Sequence, residues 1–509
     1  MVCPLGGTVS PPQPPNYDKV EVEGVGSLML PNSLKAPLER VELIGNSVQG
    51  ENPAPDNPQE IKSAGRKSKN LFNIADLRVG QVQKDGTINE KQIYYRTVIL
   101  DVPEDAKYRI TFKINTDYNM LYFTDAYING VYSNPYVKVY GGNSGSLISL
   151  KNGKNILSFK ATKDDAIIDF PKYHNIMIAA ESETLDYEPY GHFLEMKITG
   201  KNLFDEEKAK DANNWTNSTI LPSYKEISIY VGKGNSVNIS YLENLETGLG
   251  FYANIAHSEN DYTMYWLYHS DSAINITKNK NFISRNDYII LRVDGGSVPK
   301  FFEYIKTLQI EIGSRQTPYE PYTEQTMQIT LDEPLRGVGE YKDVLTKDGV
   351  VRKIAPYEVD LNDLRDGGYS KTNTVMFSVK VQNKTVGYAS SKPSILCNIL
   401  PDCALQMSNI YNNDKECIAV GGGIVLFRVN KSRLKDISSF EAIKQSFIEL
   451  MEGKKMLVEY ALETSVTEPL PESVQQQLQA LHSENGVTHI FVDSGEVEAG
   501  IKLTYRKEI

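Results

Sequence analysis

The sequence predicts a mainly β protein: two tandem antiparallel β-sandwiches of jelly-roll type, followed by a C-terminal β-sandwich that carries one or two helices. Three observations point there. Short runs that alternate apolar and polar residues recur along the chain, separated by Asn-Gly, Asp-Gly and related turns. Tyr is abundant, 31 residues against 16 Phe and 2 Trp, and it suits half-buried strand faces, where the ring is covered while the hydroxyl keeps a partner. A pair of four-residue motifs also occurs twice at one spacing, which divides the middle of the chain into two equal units.

That spacing sets the domain plan. Lys69-Asn70-Leu71-Phe72 opens a segment that Tyr187-Glu188-Pro189-Tyr190 closes, and Lys201-Asn202-Leu203-Phe204 and Tyr319-Glu320-Pro321-Tyr322 bracket a second. The openers lie 201 − 69 = 132 residues apart and the closers 319 − 187 = 132. A period this long means whole domains in series, since solenoid repeats run to roughly 20–50 residues. At about 150 residues per domain, a chain of 509 residues holds three or four. The expected division is an extended arm (1–65), a first module (66–192), a second module (193–324) and a C-terminal domain (325–509).

Within the arm, Pro-rich stretches at 11–15 and 52–58 exclude helix. The alternating runs at 20–25 and 38–44 are strand candidates, and the arm is expected to lie along another surface. The first module has strands at 108–114 and 136–140, turns at Asn129-Gly130 and Asn152-Gly153, and a closing strand at 176–180. The second has strands at 236–241 and 288–293 and a closing strand at 308–312, one period after its counterpart. Structural roles are expected for the bookends: Asn70, Leu71, Phe72, Tyr187, Pro189 and Tyr190 in one copy, Asn202, Leu203, Phe204, Tyr319, Pro321 and Tyr322 in the other. The Leu-Phe pair would plug the sandwich, and the Tyr-x-Pro-Tyr exit would fix the departing chain, Pro ending sheet pairing. The C-terminal domain begins with strands at 327–331 and 375–381 and a hairpin about Asp348-Gly349. A helix near 438–452 follows, with Ile443, Phe447, Leu450 and Met451 on one face and Ser438 with Glu441 offering a capping box. A second helix near 471–482 sets Val474, Leu478 and Leu481 together, and strands at 489–492 and 500–505 complete the order.

Composition excludes several classes of function. A net charge of −11 with no basic run gives no footprint for phosphate backbones, so nucleic acid is not an expected partner. No apolar run approaches a membrane span, and residues 1–8 are too short and uncharged for a signal peptide. Cys3, Cys397, Cys403 and Cys417 show no paired C-x2-C spacing and are expected to be free thiols packed as small hydrophobes. Metalloprotease, nucleophile-elbow and phosphate-loop motifs are absent from the sequence, so no catalytic residue, cofactor or metal is assigned and the chain is read as non-enzymatic. A carboxylate pair cutting a glycosidic bond leaves no local signature, which keeps a glycan depolymerase as the alternative. Candidate binding residues are aromatic, because sugar rings stack on exposed aromatic faces. Trp215 sits among Asn213, Asn214, Thr216 and Asn217, while Tyr262, Trp266 and Tyr268 share a strand face if 261–270 is extended.

The duplicated openers and closers, the run 53–65 before them, the run 332–354 after them, and the segments 457–472 and 488–495 together resemble tail structural proteins of bacteriophages and prophages, mainly of Gram-positive hosts. The resemblance implies a virion component of the tail tip, baseplate or side fibre, synthesised in the host cytoplasm. Its modules would be carbohydrate-binding-like sandwiches that dock on host-surface glycans. It further implies a homo-oligomer, a trimer favoured, in contact with other tail proteins through the arm and without membrane insertion. A purely structural spacer or decoration protein of the virion is a third reading.

Overall fold

The computed structural model describes residues 17–114, 120–134, 137–140, 146–161, 174–181, 188–221, 223–243, 252–256, 264–269, 279–294, 298–368, 370–386, 393–403 and 407–509. The protein is mainly β and built from several antiparallel sheets.

Its frame is a twelve-stranded sheet drawn from both ends of the chain. Tyr17–Val25 pairs along its length with Gly500–Glu508, from Tyr17 opposite Glu508 to Val25 opposite Gly500. Arg40–Ile44 takes the other edge of Gly500–Glu508, and Ser27–Ser33 pairs with Gly486–Asp493. The period-two pattern explains the placement, because Val20 and Val22 pack against a core that includes Leu43, Ile490, Ile501 and Leu503 while the intervening glutamates face away. From Tyr17 onward the expected arm is therefore part of the C-terminal sheet.

Both modules are insertions into this sheet. Arg66–Lys67 pairs with the start of His192–Thr199, Lys67 opposite His192. His192–Thr199 pairs in turn with Glu324–Leu331, and Thr199 stands opposite Glu324. The chain thus leaves and rejoins at neighbouring positions twice. Each excursion has the same length, 191 − 68 + 1 = 124 and 323 − 200 + 1 = 124 residues. The eight-residue strand between them completes the 132-residue period.

The two modules share one strand order. In the first, Val131–Ser133, Met120–Ile128, Gly153–Ala161, Tyr95–Val102 and Arg78–Val79 form one sheet, and Ser146–Leu150, Ala106–Ile114 and His174–Ala180 the other. In the second, Met264–His269, Tyr252–Ala256, Tyr288–Asp294, Tyr224–Tyr230 and Thr216–Asn217 face Asn279–Ile283, Ser236–Glu243 and Ile305–Ile312. Each core interleaves both sheets: Val98, Leu157, Phe159, Ile110 and Ile178 in one, Ile229, Leu291, Ile239 and Ile310 in the other.

A third layer repeats the theme without detaching from the frame. Arg365–Asp366, Thr374–Lys380, Ile424–Asn430 and Cys417–Gly421 stand in the order of the larger module sheets. They close over Gly349–Glu358 and Leu457–Glu468 around Phe377, Phe427, Phe447 and Tyr460. The local sequence agrees. Asp76-Leu77-Arg78 ends a 3-10 turn and starts a two-residue strand, as Asp363-Leu364-Arg365 does here. Phe440–Met451 forms the helix over this core, capped by Ser439, whose hydroxyl accepts from Ala442 N at 3.2 Å. The cap lies one residue past the expected Ser438. The second helix is Glu472–Ala480 and buries Leu478.

One expectation is corrected outright. Cys403 and Cys417 form a disulfide, their Cα atoms 4.9 Å apart, because the turn after Leu400 carries Cys403 onto the strand that begins at Cys417. A separation of 14 residues gives no motif by which to see it. Cys397 is free and buried, and burial pushes its thiol up to about 12. Cys3 lies outside the described residues.

Candidate functional site

The duplicated motifs meet each other at the neck of each module. The Asn70 amide donates to the carbonyls of Ile176 (3.1 Å) and Glu188 (2.9 Å) and accepts from the N–H groups of Phe72 (2.9 Å) and Ile178 (3.0 Å). Asn202 repeats every contact one period on. It donates to Leu308 (3.2 Å) and Glu320 (3.1 Å) and accepts from Phe204 (3.0 Å) and Ile310 (3.1 Å). All four hydrogen-bonding positions of a primary amide are used. The opener lysine then pairs with the closer glutamate, Lys69 with Glu188 at 3.6 Å and Lys201 with Glu320 at 2.9 Å. Phe72 and Phe204 are buried in the cores, as a plug should be. Tyr190 and Tyr319 are exposed and do not clamp the exit, which is held by the Glu188 and Glu320 backbone and carboxylates; the half-buried Tyr322 donates instead to Glu324 on the strand that follows. Tyr187 lies outside the described residues.

A cleft of about 490 Å³ opens where the second module meets the frame. Its floor is one face of two paired strands. Glu195, Lys197 and Thr199 alternate along His192–Thr199, opposite Asp493, Phe491 and His489, and alternation sends Leu194, Met196, Ile198, Ile490 and Val492 to the core behind. The facing wall comes from the module, with Ser228 and Tyr230 from one strand and Asp287 and Tyr288 from the start of the next. Tyr230 meets Tyr288 edge-on at 5.1 Å and Phe491 at 4.6 Å. Tyr288 remains 52% exposed, so an aromatic surface faces the opening.

The polar groups are unevenly satisfied. Thr199 and His489 are 1% exposed, directly opposite in register, and the Thr199 hydroxyl and His489 Nε2 find no hydrogen-bond partner. The His489 ring lies parallel to Phe491 at 6.2 Å, and burial drives its pKa down to about 4. Lys197 is committed, 2.6 Å from Glu324 and over the Tyr322 ring at 5.5 Å. Burial pushes the Glu324 carboxyl up, but hydrogen bonds from Lys197, Thr326 and Tyr322 outweigh it and hold the group at about 2. Glu195, Asp287, Asp493 and Glu498 also line the cleft.

The aromatic residues singled out from sequence fare differently. Trp215 is 5% exposed in the second module's core, and its indole N–H donates to the Ala209 carbonyl at 2.5 Å. It presents no stacking face, which corrects the expectation. Its polar neighbours are spent on backbone: Asp211 caps the 3-10 turn Ala212–Asn214, and Asn214 donates to the Lys208 carbonyl. Tyr262 lies outside the described residues, as do the side chains of Trp266 and Tyr268. Their backbone belongs to Met264–His269, with Trp266 opposite Asn254, Tyr268 opposite Ala253 and a slip in register between the two pairs. Among the described residues no cluster of three or more His, Cys, Asp or Glu is arranged to hold a metal, and no helix is long and apolar enough to cross a membrane.

No family model matches the chain, and no curated protein matches it. Comparison with solved structures brings up the arabinofuranosyltransferase AftD from Mycobacteria, at 7% identity over 96% of this chain and 36% of that one. Its TM-score of 0.14 is a level at which likeness carries no argument.

Proposed function

We propose that the protein is a non-enzymatic structural component of a bacteriophage tail, at the tip, baseplate or a fibre, that contributes to attachment to host-surface glycans. It would be made in the host cytoplasm and assembled into the virion as a homo-oligomer, a trimer favoured, beside other tail proteins. The cleft carries the reading: a half-exposed tyrosine face over a floor with an unsatisfied hydroxyl matches what a saccharide ring offers, an apolar face and a rim of hydroxyls. The duplicated necks support a structural role, since the entry and exit of each sandwich are clasped to each other by a fully satisfied amide and an ion pair.

A specific feature favours glycan depolymerisation as the second reading, because Glu195 and Asp493 stand opposite each other across the floor. Two measurements separate the readings. Cryo-EM of the parent particle should place the chain in the tail, and a glycan array should show binding without release of reducing ends. Release of reducing ends that Glu195→Gln abolishes would establish the depolymerase. A particle without the chain would end the tail assignment.

A further inference from the structure

We propose that the cleft selects a saccharide bearing a free, protonated amine, that is, an amino sugar without its N-acetyl group. This rests on the glycan-docking reading and adds the chemistry of the sugar. The first ground is charge. Glu195, Asp287, Asp493 and Glu498 all line the cleft, and among the described residues none of them makes an ion pair. Of the two lining lysines, Lys197 is neutralised by Glu324 at 2.6 Å, which leaves Lys208 on the short helix Glu206–Lys210 at the rim. An anionic polymer would meet uncompensated carboxylates, whereas an ammonium would be drawn in.

The second ground is that the cleft already holds such a group. The Lys197 ammonium lies over the Tyr322 ring at 5.5 Å with a carboxylate oxygen at 2.6 Å. Tyr288, 52% exposed beside Tyr230 and lining the cleft with Asp287 and Asp493, offers the same combination of aromatic face and carboxylate; burial first, and then these two carboxylates, raise its phenol. The third ground is the floor. The Thr199 hydroxyl, 1% exposed and without a partner, lines the cleft and would accept or donate to a ring hydroxyl, so recognition involves the sugar and not the amine alone.

The test uses the full chain and calorimetry at pH 6 with three oligosaccharides of equal length: a glucosamine oligomer, its N-acetylated form and a uronic acid oligomer. The glucosamine oligomer should bind about tenfold tighter than the acetylated one, with the preference shrinking as salt rises. Tyr288→Ala, at an exposed position, should weaken both by several-fold. Asp493→Asn with Glu195→Gln should bring the glucosamine oligomer down to the acetylated affinity while the acetylated affinity holds. Equal or tighter binding of the acetylated oligomer, lost in Tyr288→Ala, would overturn this inference and leave glycan docking standing. Tighter binding of the uronic oligomer would overturn it too. If spermine competes as well as the glucosamine oligomer and Tyr288→Ala changes nothing, the cleft is only a counter-ion site and the inference fails. If no saccharide binds, this inference and glycan docking fall together.

Discussion

Asn70 and Asn202 show how much one side chain can fix. Each amide bridges the incoming strand, the closing strand and the exit, so truncation strands one buried and one part-buried carbonyl and two buried N–H groups. At about 1 kcal/mol per lost hydrogen bond, with a penalty for those left unpaired, Asn202→Ala should cost about 3 kcal/mol. Hydrogen exchange should localise the loss to the second module and leave 68–191 protected as before. His489 gives a prediction in pH. Its folded pKa of about 4 lies below the ordinary value of 6.5 because burial disfavours the cation. Below pH 6.5 the unfolded chain binds a proton that the folded one refuses, so stability declines as pH falls and levels off near pH 4. The full loss is about 3 kcal/mol. Urea midpoints between pH 7 and 4 should show this slope, and His489→Asn should flatten it.

At the scale of elements, the two modules are held differently. Phe491, on a frame strand, packs into the second module's core and against Tyr230, while the first module's core contains residues of that module alone. Phe491→Ala should therefore loosen the second module without unfolding it, at a cost of about 3 kcal/mol. Limited proteolysis should then release 200–323 earlier than in the unmutated chain. This is also where the sequence and the structure part company. The openers and closers were legible because the clasp demands one residue type, Asn, at a fixed distance from the carbonyls it binds. The cleft was not, because its walls come from Tyr230, Tyr288 and Phe491, which no local period connects. Trp215 misled for a physical reason, since polar neighbours in a 3-10 turn cap backbone and say nothing about where the ring goes. The third layer had a signal, the second Asp-Leu-Arg, but three residues do not stand out until the strands on either side are known to match.

For the whole molecule, three strands of the frame, Arg66–Lys67, His192–Thr199 and Glu324–Leu331, form a short meander in which two hairpin turns have each become a sandwich of 124 residues. Lys67 faces His192 and Thr199 faces Glu324 across neighbouring strands, a separation that a two-residue turn spans. Replacing 68–191 by Asn-Gly should give a folded chain that keeps its C-terminal core, with a smaller denaturant slope in proportion to the surface removed. Near-ultraviolet circular dichroism together with the urea slope would check this. An aggregated or unfolded product would mean that the first module also supports the frame.

The pairing of Tyr17–Val25 with Gly500–Glu508 reaches into the order of synthesis. A strand made early waits, with a free edge, for one made almost five hundred residues later, and at about 5–20 residues per second that interval lasts tens of seconds. The two sandwiches, each closed by its own clasp, have time to fold while the nascent chain is still growing. The frame that carries them locks only once Gly500–Glu508 has been made, so a polypeptide stopped short of that strand would present finished modules on an open, adhesive scaffold.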